Sequence, residues 1–319
     1  MKYENTVINE IAENIKKVII GKDEVIDLII TALLCEGHVL IEDVPGVGKT
    51  SLASALAHSI NCSFKRIQFT PDILPSDITG FSIYNQKTME FEYKEGLCMS
   101  NLILADEINR TSPKTQASLL EVMEEYQITV DNKTFNLPRP FMVLATQNPV
   151  NYIGTYPLPE AQIDRFFMKI SLGYPSIDDE VEILMRHRKE NPLATLKSVA
   201  SGEDIMQLQS EVDRVIADES IAGYITRIVK ATREHEDIIL GVSPRGSLAL
   251  LRAACGNAFI YNRDYVIPDD VKKMALPVLS HRLVLTQDAK LRKVKPETLI
   301  SIILDKVHVF EKKKNEIKV

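Results

Sequence analysis

The sequence predicts an α/β core built on a parallel sheet and followed by an all-α domain, and three observations carry that prediction. Five short apolar runs, at 38–41, 66–69, 102–105, 141–145 and 167–172, alternate with helical or irregular segments, and each run is too short to be a helix. A glycine-rich loop joins the first run directly to a helical segment. After Gly173-Tyr174-Pro175 the strand-like runs stop and capped helical segments begin, which places the expected domain boundary between 173 and 174 and gives domains of 1–173 and 174–319.

Length and composition agree with such a chain. Its 319 residues suit about two domains at roughly 150 residues each. With 45% apolar and 26% charged residues it excludes disordered, collagen-like and coiled-coil classes. The 44 acids against 38 bases leave a charge of −6, so no stable nucleic-acid partner is expected. Cys35, Cys62, Cys98 and Cys255 are widely spaced without a C-x-x-C pair, and they read as reduced thiols rather than a zinc site or disulfide framework. The first residues lack a signal-like apolar stretch and no apolar run approaches ~20 residues, so a cytoplasmic location without membrane insertion is expected.

The first run leads into Asp43-Val44-Pro45-Gly46-Val47-Gly48-Lys49-Thr50-Ser51, after which Leu52, Ala53, Leu56 and Ile60 share a helix face. Strand, glycine loop and helix stand in the order of a phosphate-binding loop. Glycines let backbone N–H groups turn toward phosphate oxygens, Lys49 supplies a point charge to the β and γ phosphates, and Thr50 offers a hydroxyl to Mg²⁺. Asp43 departs from the strict pattern, which has glycine there.

Two later stretches alternate with period two: 81–84 answered by 91–93, and 127–130 answered by 133–137 across Asp131-Asn132. Both read as β-hairpins inserted into the core. The run 102–105 ends in Asp106-Glu107, setting two carboxylates at the sheet edge that also carries the glycine loop. Asp106 would hold Mg²⁺ and Glu107 would polarise an attacking water. The fourth run ends in Thr146-Gln147-Asn148-Pro149, where Asn148 either bonds a γ-phosphate or lytic water or simply opens a loop. Arg165, just before the fifth run, and Arg245, behind Ser243-Pro244, are cations able to meet phosphate charge or to form surface ion pairs.

Beyond residue 174, Ser176 with Asp179 and Ser201 with Asp204 resemble capping boxes with Asp in the third helical position. Ser243-Pro244 sets a hydroxyl cap and a first-turn proline ahead of Leu248, Leu251 and Ala254-Cys255 at helical spacing. The run Lys312-Lys313-Lys314 reads as a solvated helix face.

Five motifs in order then carry a resemblance. The stretch from Val39 through Glu42-Asp43-Val44-Pro45-Gly46-Val47-Gly48-Lys49-Thr50, the stretch Leu104 to Arg110 with Pro113-Lys114-Thr115-Gln116, Ala145-Thr146-Gln147-Asn148-Pro149, the stretch Leu158 to Phe166, and Ser243-Pro244-Arg245 together resemble the MoxR family of AAA+ ATPases, over residues 7 to 285. The resemblance accounts for Asp43, since that family commonly has Glu-Asp-Val-Pro there. It implies a P-loop ATPase core and a helical lid, ATP and Mg²⁺ as cofactors, a Walker A loop at 43–50, a Walker B pair at Asp106 and Glu107, and a sensor 1 at Asn148. It further implies that Arg165 is a finger reaching a neighbouring subunit's γ-phosphate, that Arg245 is the sensor 2 of the lid, and that the segment holding Ile19, Ile20 and Gly21 lines the adenine. The two hairpins resemble the helix-2 insert and the pre-sensor-1 insertion of that clade.

The function implied is an ATP-driven, chaperone-like remodeller acting as a homo-oligomeric ring, a hexamer by family analogy, on a protein client. A von Willebrand factor A domain protein is the client class the resemblance brings with it. The competing readings are the motor subunit of a metal chelatase, a nucleic-acid-associated motor and a slow nucleotide-sensing scaffold.

Overall fold

The computed structural model describes residues 5–148, 155–188 and 192–309. Pro149 of the fourth motif and the Lys312-Lys313-Lys314 run lie outside the described residues. By its internal contacts the chain forms two compact units, Met1–Val212 and Asp213–Val319.

The first unit opens with helices α1 (Thr6–Lys16) and α2 (Asp23–Leu34), then alternates β1 (Val39–Glu42), α3 (Lys49–Ser59) and β2 (Phe64–Gln68). The short α4 (Pro75–Thr79) leads into a hairpin of β3 (Gly80–Asn85) and β4 (Glu90–Glu95), and β5 (Leu102–Asp106) and α5 (Pro113–Glu125) follow. A second hairpin, β6 (Gln127–Val130) and β7 (Lys133–Asn136), precedes β8 (Met142–Gln147), α6 (Glu160–Ile163) and β9 (Met168–Ile170). Helices α7 (Ile177–His187) and α8 (Gly202–Val212) close the unit.

All five predicted apolar runs are strands of one sheet, ordered β2-β5-β8-β1-β9, and every pairing in it is parallel. Its middle strands are apolar along their length because helices cover both faces, as parallel sheets require. Residues 102–105 of β5 and 142–146 of β8 are all buried. Parallel strands also end together, so Glu42, Asp106 and Gln147 come out on one edge. His38 seals the other end of β1: Val143 N–H donates to its Nδ1 at 3.0 Å while its Nε2 lies 2.9 Å from Met123 O. Burial pushes this imidazole down to about 4, so the ring is neutral, with Nε2–H donating.

Both hairpins form as expected, with Phe81 opposite Lys94 in the first and Ile128 opposite Phe135 in the second. Tyr93 and Phe135 stack at 4.0 Å between centroids and so fasten one hairpin to the other.

The units divide after Val212, whereas the change in sequence pattern falls after Gly173. That change marks the end of the sheet, not of the unit. Val199 and Ala200 both donate their N–H to Ser59 O, Gln209 Nε2 donates to Leu33 O at 2.8 Å, and Arg186 Nη1 donates to Lys17 O. These bonds tie α7, residues 199–200 and α8 to the helices α1, α2 and α3.

The second unit contains α9 (Glu219–Arg233), β10 (Ile238–Leu240), α10 (Pro244–Ile260), α11 (Pro268–Leu279), β11 (Val284–Leu285), α12 (Gln287–Leu291) and α13 (Pro296–Lys306). It is helical as predicted, with one addition: β10 and β11 pair antiparallel. Strands of three and two residues are too short to leave a periodicity in the sequence.

Candidate functional site

The site is built at the C-terminal edge of β1, where the sheet order places β8 on one side and β9 on the other. Asp43 follows β1, and the loop turns on Gly46 (φ 88°) and Gly48 (φ 97°) into α3. At Gly46 a Cβ would meet open space, so the backbone conformation alone selects glycine there. Lys49 Nζ donates to Asp43 O at 2.9 Å, closing the loop on itself. Partial burial holds the Lys49 ammonium below its usual range, against the opposing pull of Asp106, Asp43 and Glu107.

The Asp43 side chain explains the departure from glycine. Its Oδ2 accepts from Leu172 N at 2.5 Å, Gly173 N at 2.8 Å and Ser171 Oγ at 3.1 Å, and its Oδ1 accepts from Val44 N at 3.0 Å. A glycine loop with this carboxylate is tied to the chain leaving β9.

At the end of β5, Asp106 Oδ1 accepts from Thr146 Oγ1 at 2.6 Å. The same hydroxyl oxygen accepts from Glu107 N–H at 2.8 Å. Glu107 sits in the left-handed region (φ 56°, ψ 51°), a conformation costing a non-glycine residue about 1 kcal/mol, and the Thr146 bond helps hold it there. Glu107 Oε2 accepts from Gln68 Nε2 at 3.0 Å and Arg110 Nη1 at 2.8 Å. Arg66 Nη2 donates to Asp106 Oδ2 at 2.6 Å.

These groups surround a cavity of about 390 Å³. Of the residues expected from sequence, Pro45, Gly46, Gly48, Lys49, Thr50, Ser51, Asp106, Glu107 and Asn148 line it. Val47 lies within the same loop. Ile19 is buried against the loop, its Cδ1 3.9 Å from where a Cβ on Gly48 would stand. Ile20 follows it, and Gly21 (φ 69°) packs so closely on Asp179 that a Cβ would collide with that carboxylate. Arg165 does not line the cavity: it follows α6, and its Nε pairs with Glu124 Oε2 at 3.3 Å. Arg245 is the second residue of α10, behind the Ser243 cap and Pro244, in the second unit.

Sequence reasoning missed Arg66 and Gln68, which also line the cavity. The signal was present. They alternate with buried Ile67 in β2 and buried Phe69 just beyond it, so period two places both polar side chains on one exposed face of an edge strand.

The architecture has known counterparts. Residues 38–168 match the family model described as ATPase family associated with various cellular activities (AAA), and 230–303 match the AAA lid domain. The chain is 54% identical over 303 residues to "Uncharacterized protein YeaC" of Bacillus subtilis, covering 95% of each. It is 43% identical over 302 residues to "Chaperone MoxR1" of Mycobacterium tuberculosis, covering 92% of this chain and 80% of that one. The crystal structure of a "putative ATPase" from Cytophaga hutchinsonii superposes with a TM-score of 0.89 at 41% identity, over 96% of this chain and 95% of that one.

Proposed function

This chain belongs to the MoxR family of AAA+ ATPases, and on that footing we propose that it couples ATP hydrolysis to the remodelling of a protein client within a homo-oligomeric ring. The observation that carries the reading is the convergence of the glycine loop, Asp106, Glu107 and Asn148 on one cavity. The relative named Chaperone MoxR1 supports the remodelling role. Among the described residues no helix is long and apolar enough to cross a membrane; a cytoplasmic ring is part of the proposal.

In this mechanism the N–H groups of 46–51 and the Lys49 ammonium bind the β and γ phosphates at the start of α3. Ile19, Ile20 and Gly21 take the adenine. The Glu107 carboxylate accepts a proton from the attacking water, which Asn148 orients. Arg165, which pairs with Glu124 away from its own cavity, is offered to the next subunit's γ-phosphate, and Arg245 brings the helical unit to the nucleotide.

Thr50 and Asp106 are the residues that would hold Mg²⁺, and the donor set fits: Mg²⁺ uses one or two carboxylates plus phosphate oxygens rather than an all-protein cage. When bound, Mg²⁺ supplies charge neutralisation to the phosphates.

The client is proposed to be a von Willebrand factor A domain protein. The test is capture from native lysate with Glu107→Gln, which binds ATP and stalls, with and without ATP. Such a protein retained only with ATP supports the reading. Chelatase subunits or nuclease-sensitive nucleic acid in its place overturn it.

A further inference from the structure

Asp106 Oδ2 has two suitors. Arg66 Nη2 donates to it at 2.6 Å and Arg66 Nε at 3.2 Å, so one carboxylate oxygen receives two N–H bonds from one guanidinium. The other oxygen, Oδ1, already accepts from Thr146 Oγ1. The carboxylate assigned to Mg²⁺ is therefore hydrogen-bonded at both oxygens and neutralised by an arginine of its own chain. Arg66 lines the same cavity as Thr50 and Lys49, on the exposed face of the edge strand β2, where its side chain is half-exposed and its Nη2 also donates to Gln68 Oε1 at 3.0 Å.

A divalent cation and a guanidinium cannot share one oxygen, because two positive groups a few ångströms apart repel while competing for the same lone pairs. The arginine side of the pair is about half-exposed while the Asp106 side chain is largely covered, so it is the guanidinium that can leave for solvent. We propose that Arg66 is a positioning residue, the resident counter-ion of Asp106, which the incoming metal–nucleotide must displace. The inference rests on the assignment of Asp106 to Mg²⁺ made above.

Two opposite effects follow from one side chain. With the metal chelated, Arg66 screens Asp106 from the triphosphate and so favours nucleotide. With metal present, Arg66 competes for Oδ2 and so weakens metal. Removing it therefore lowers metal-free nucleotide affinity and raises the metal affinity of the nucleotide complex. A merely structural role would move both the same way.

The experiment is a binding titration of the full chain with a fluorescent, slowly hydrolysed ATP analogue, in EDTA and across buffered Mg²⁺, for the wild type, Arg66→Met, Arg66→Lys and Asp106→Asn. Arg66→Met should bind metal-free nucleotide about fivefold more weakly and half-saturate with Mg²⁺ at about tenfold lower concentration. Arg66→Lys should lie between, since it restores the charge without the two-pronged fork. If wild-type binding depends on Mg²⁺, Asp106→Asn weakens that dependence, and Arg66→Met leaves both affinities unchanged or shifts them together, the counter-ion role is overturned and the Asp106 assignment stands. If Asp106→Asn leaves the Mg²⁺ dependence intact, the assignment itself fails and takes the inference with it.

Discussion

The Asp43 carboxylate accepts a 2.8 Å hydrogen bond from the backbone N–H of Gly173, joining the first residue of the phosphate loop to the chain just beyond β9. With the parallel bond from Leu172 N–H, it links the inner strand β1 to the edge strand β9 beside it. Replacing Asp43 by the consensus glycine strips these donors of their partner. A buried donor left unsatisfied costs about 1–3 kcal/mol, so Asp43→Gly should lower the melting temperature by several degrees and weaken nucleotide binding together. Unchanged melting and affinity would mean that the clamp contributes nothing.

Lys49→Ala should abolish nucleotide binding itself, measured by titration with labelled ATP. In the wild type the same side chain imposes a pH limit. Partial burial lowers the ammonium's pKa, so its positive charge is lost at lower pH than that of a free lysine, and nucleotide affinity should decline on the alkaline side before the ordinary lysine range is reached. Affinity that holds level through that range would show that the ammonium does not carry the binding.

Arg165→Ala should leave nucleotide affinity within about twofold of wild type while turnover falls by roughly 10³-fold or more, as expected of an arginine acting only on transition-state charge. Mixing the variant with wild-type chains should poison activity out of proportion to its fraction if the arginine acts in trans. Steady-state ATPase at wild-type level in the variant removes the finger assignment.

His38 gives the fold an acid limit. Its pKa is about 4 when buried against 6.5 when free, so between those values the unfolded chain binds the extra proton. Its contribution is fully present above pH 6.5 and is lost as pH falls toward 4, amounting to about 3 kcal/mol. Melting temperature should therefore drop across that window, and His38→Gln should flatten the slope there. An equally steep slope in His38→Gln would assign the acid sensitivity to other groups.

Under the proposed function, the exposed apolar side chains of the first hairpin are offered to the client. Met89 and Phe91 are 70% and 66% exposed on β3–β4 and its turn, and Tyr93 of the same hairpin stacks on Phe135. Met89→Ala with Phe91→Ala should reduce client retention by the Glu107→Gln trap while leaving client-free ATP turnover unchanged. Loss of turnover in the double variant would instead bind the hairpin to the chemistry.

The candidate site was legible because each of its motifs is local: a strand end running into the glycine loop 43–50, into Asp106-Glu107 or into Asn148. Arg66 and Gln68 were not, because they act across strands, and only the pairing of β2 with β5 sets Gln68 beside Asp106. The same reason hid the purpose of Asp43, whose partners lie about 130 residues away in sequence. The boundary after Gly173 followed a change from strand to helix, but which unit a helix joins is decided by bonds such as that from Gln209 to Leu33, and periodicity is silent about those. The β10–β11 pair was invisible for want of length.

One hydroxyl, that of Thr146, donates to Asp106 and accepts from the N–H of Glu107. Its loss therefore reaches two neighbours at once. Exchanging Thr146 for valine keeps the shape of β8 but removes a partner from the Asp106 carboxylate and from the Glu107 backbone together, whereas replacing the Glu107 side chain leaves the backbone bond in place. Substitutions at 106 and 146 should accordingly combine with strong epistasis, the double replacement costing far less than the sum of its parts. Positions 106 and 146 are thus expected to drift in concert or to stand still.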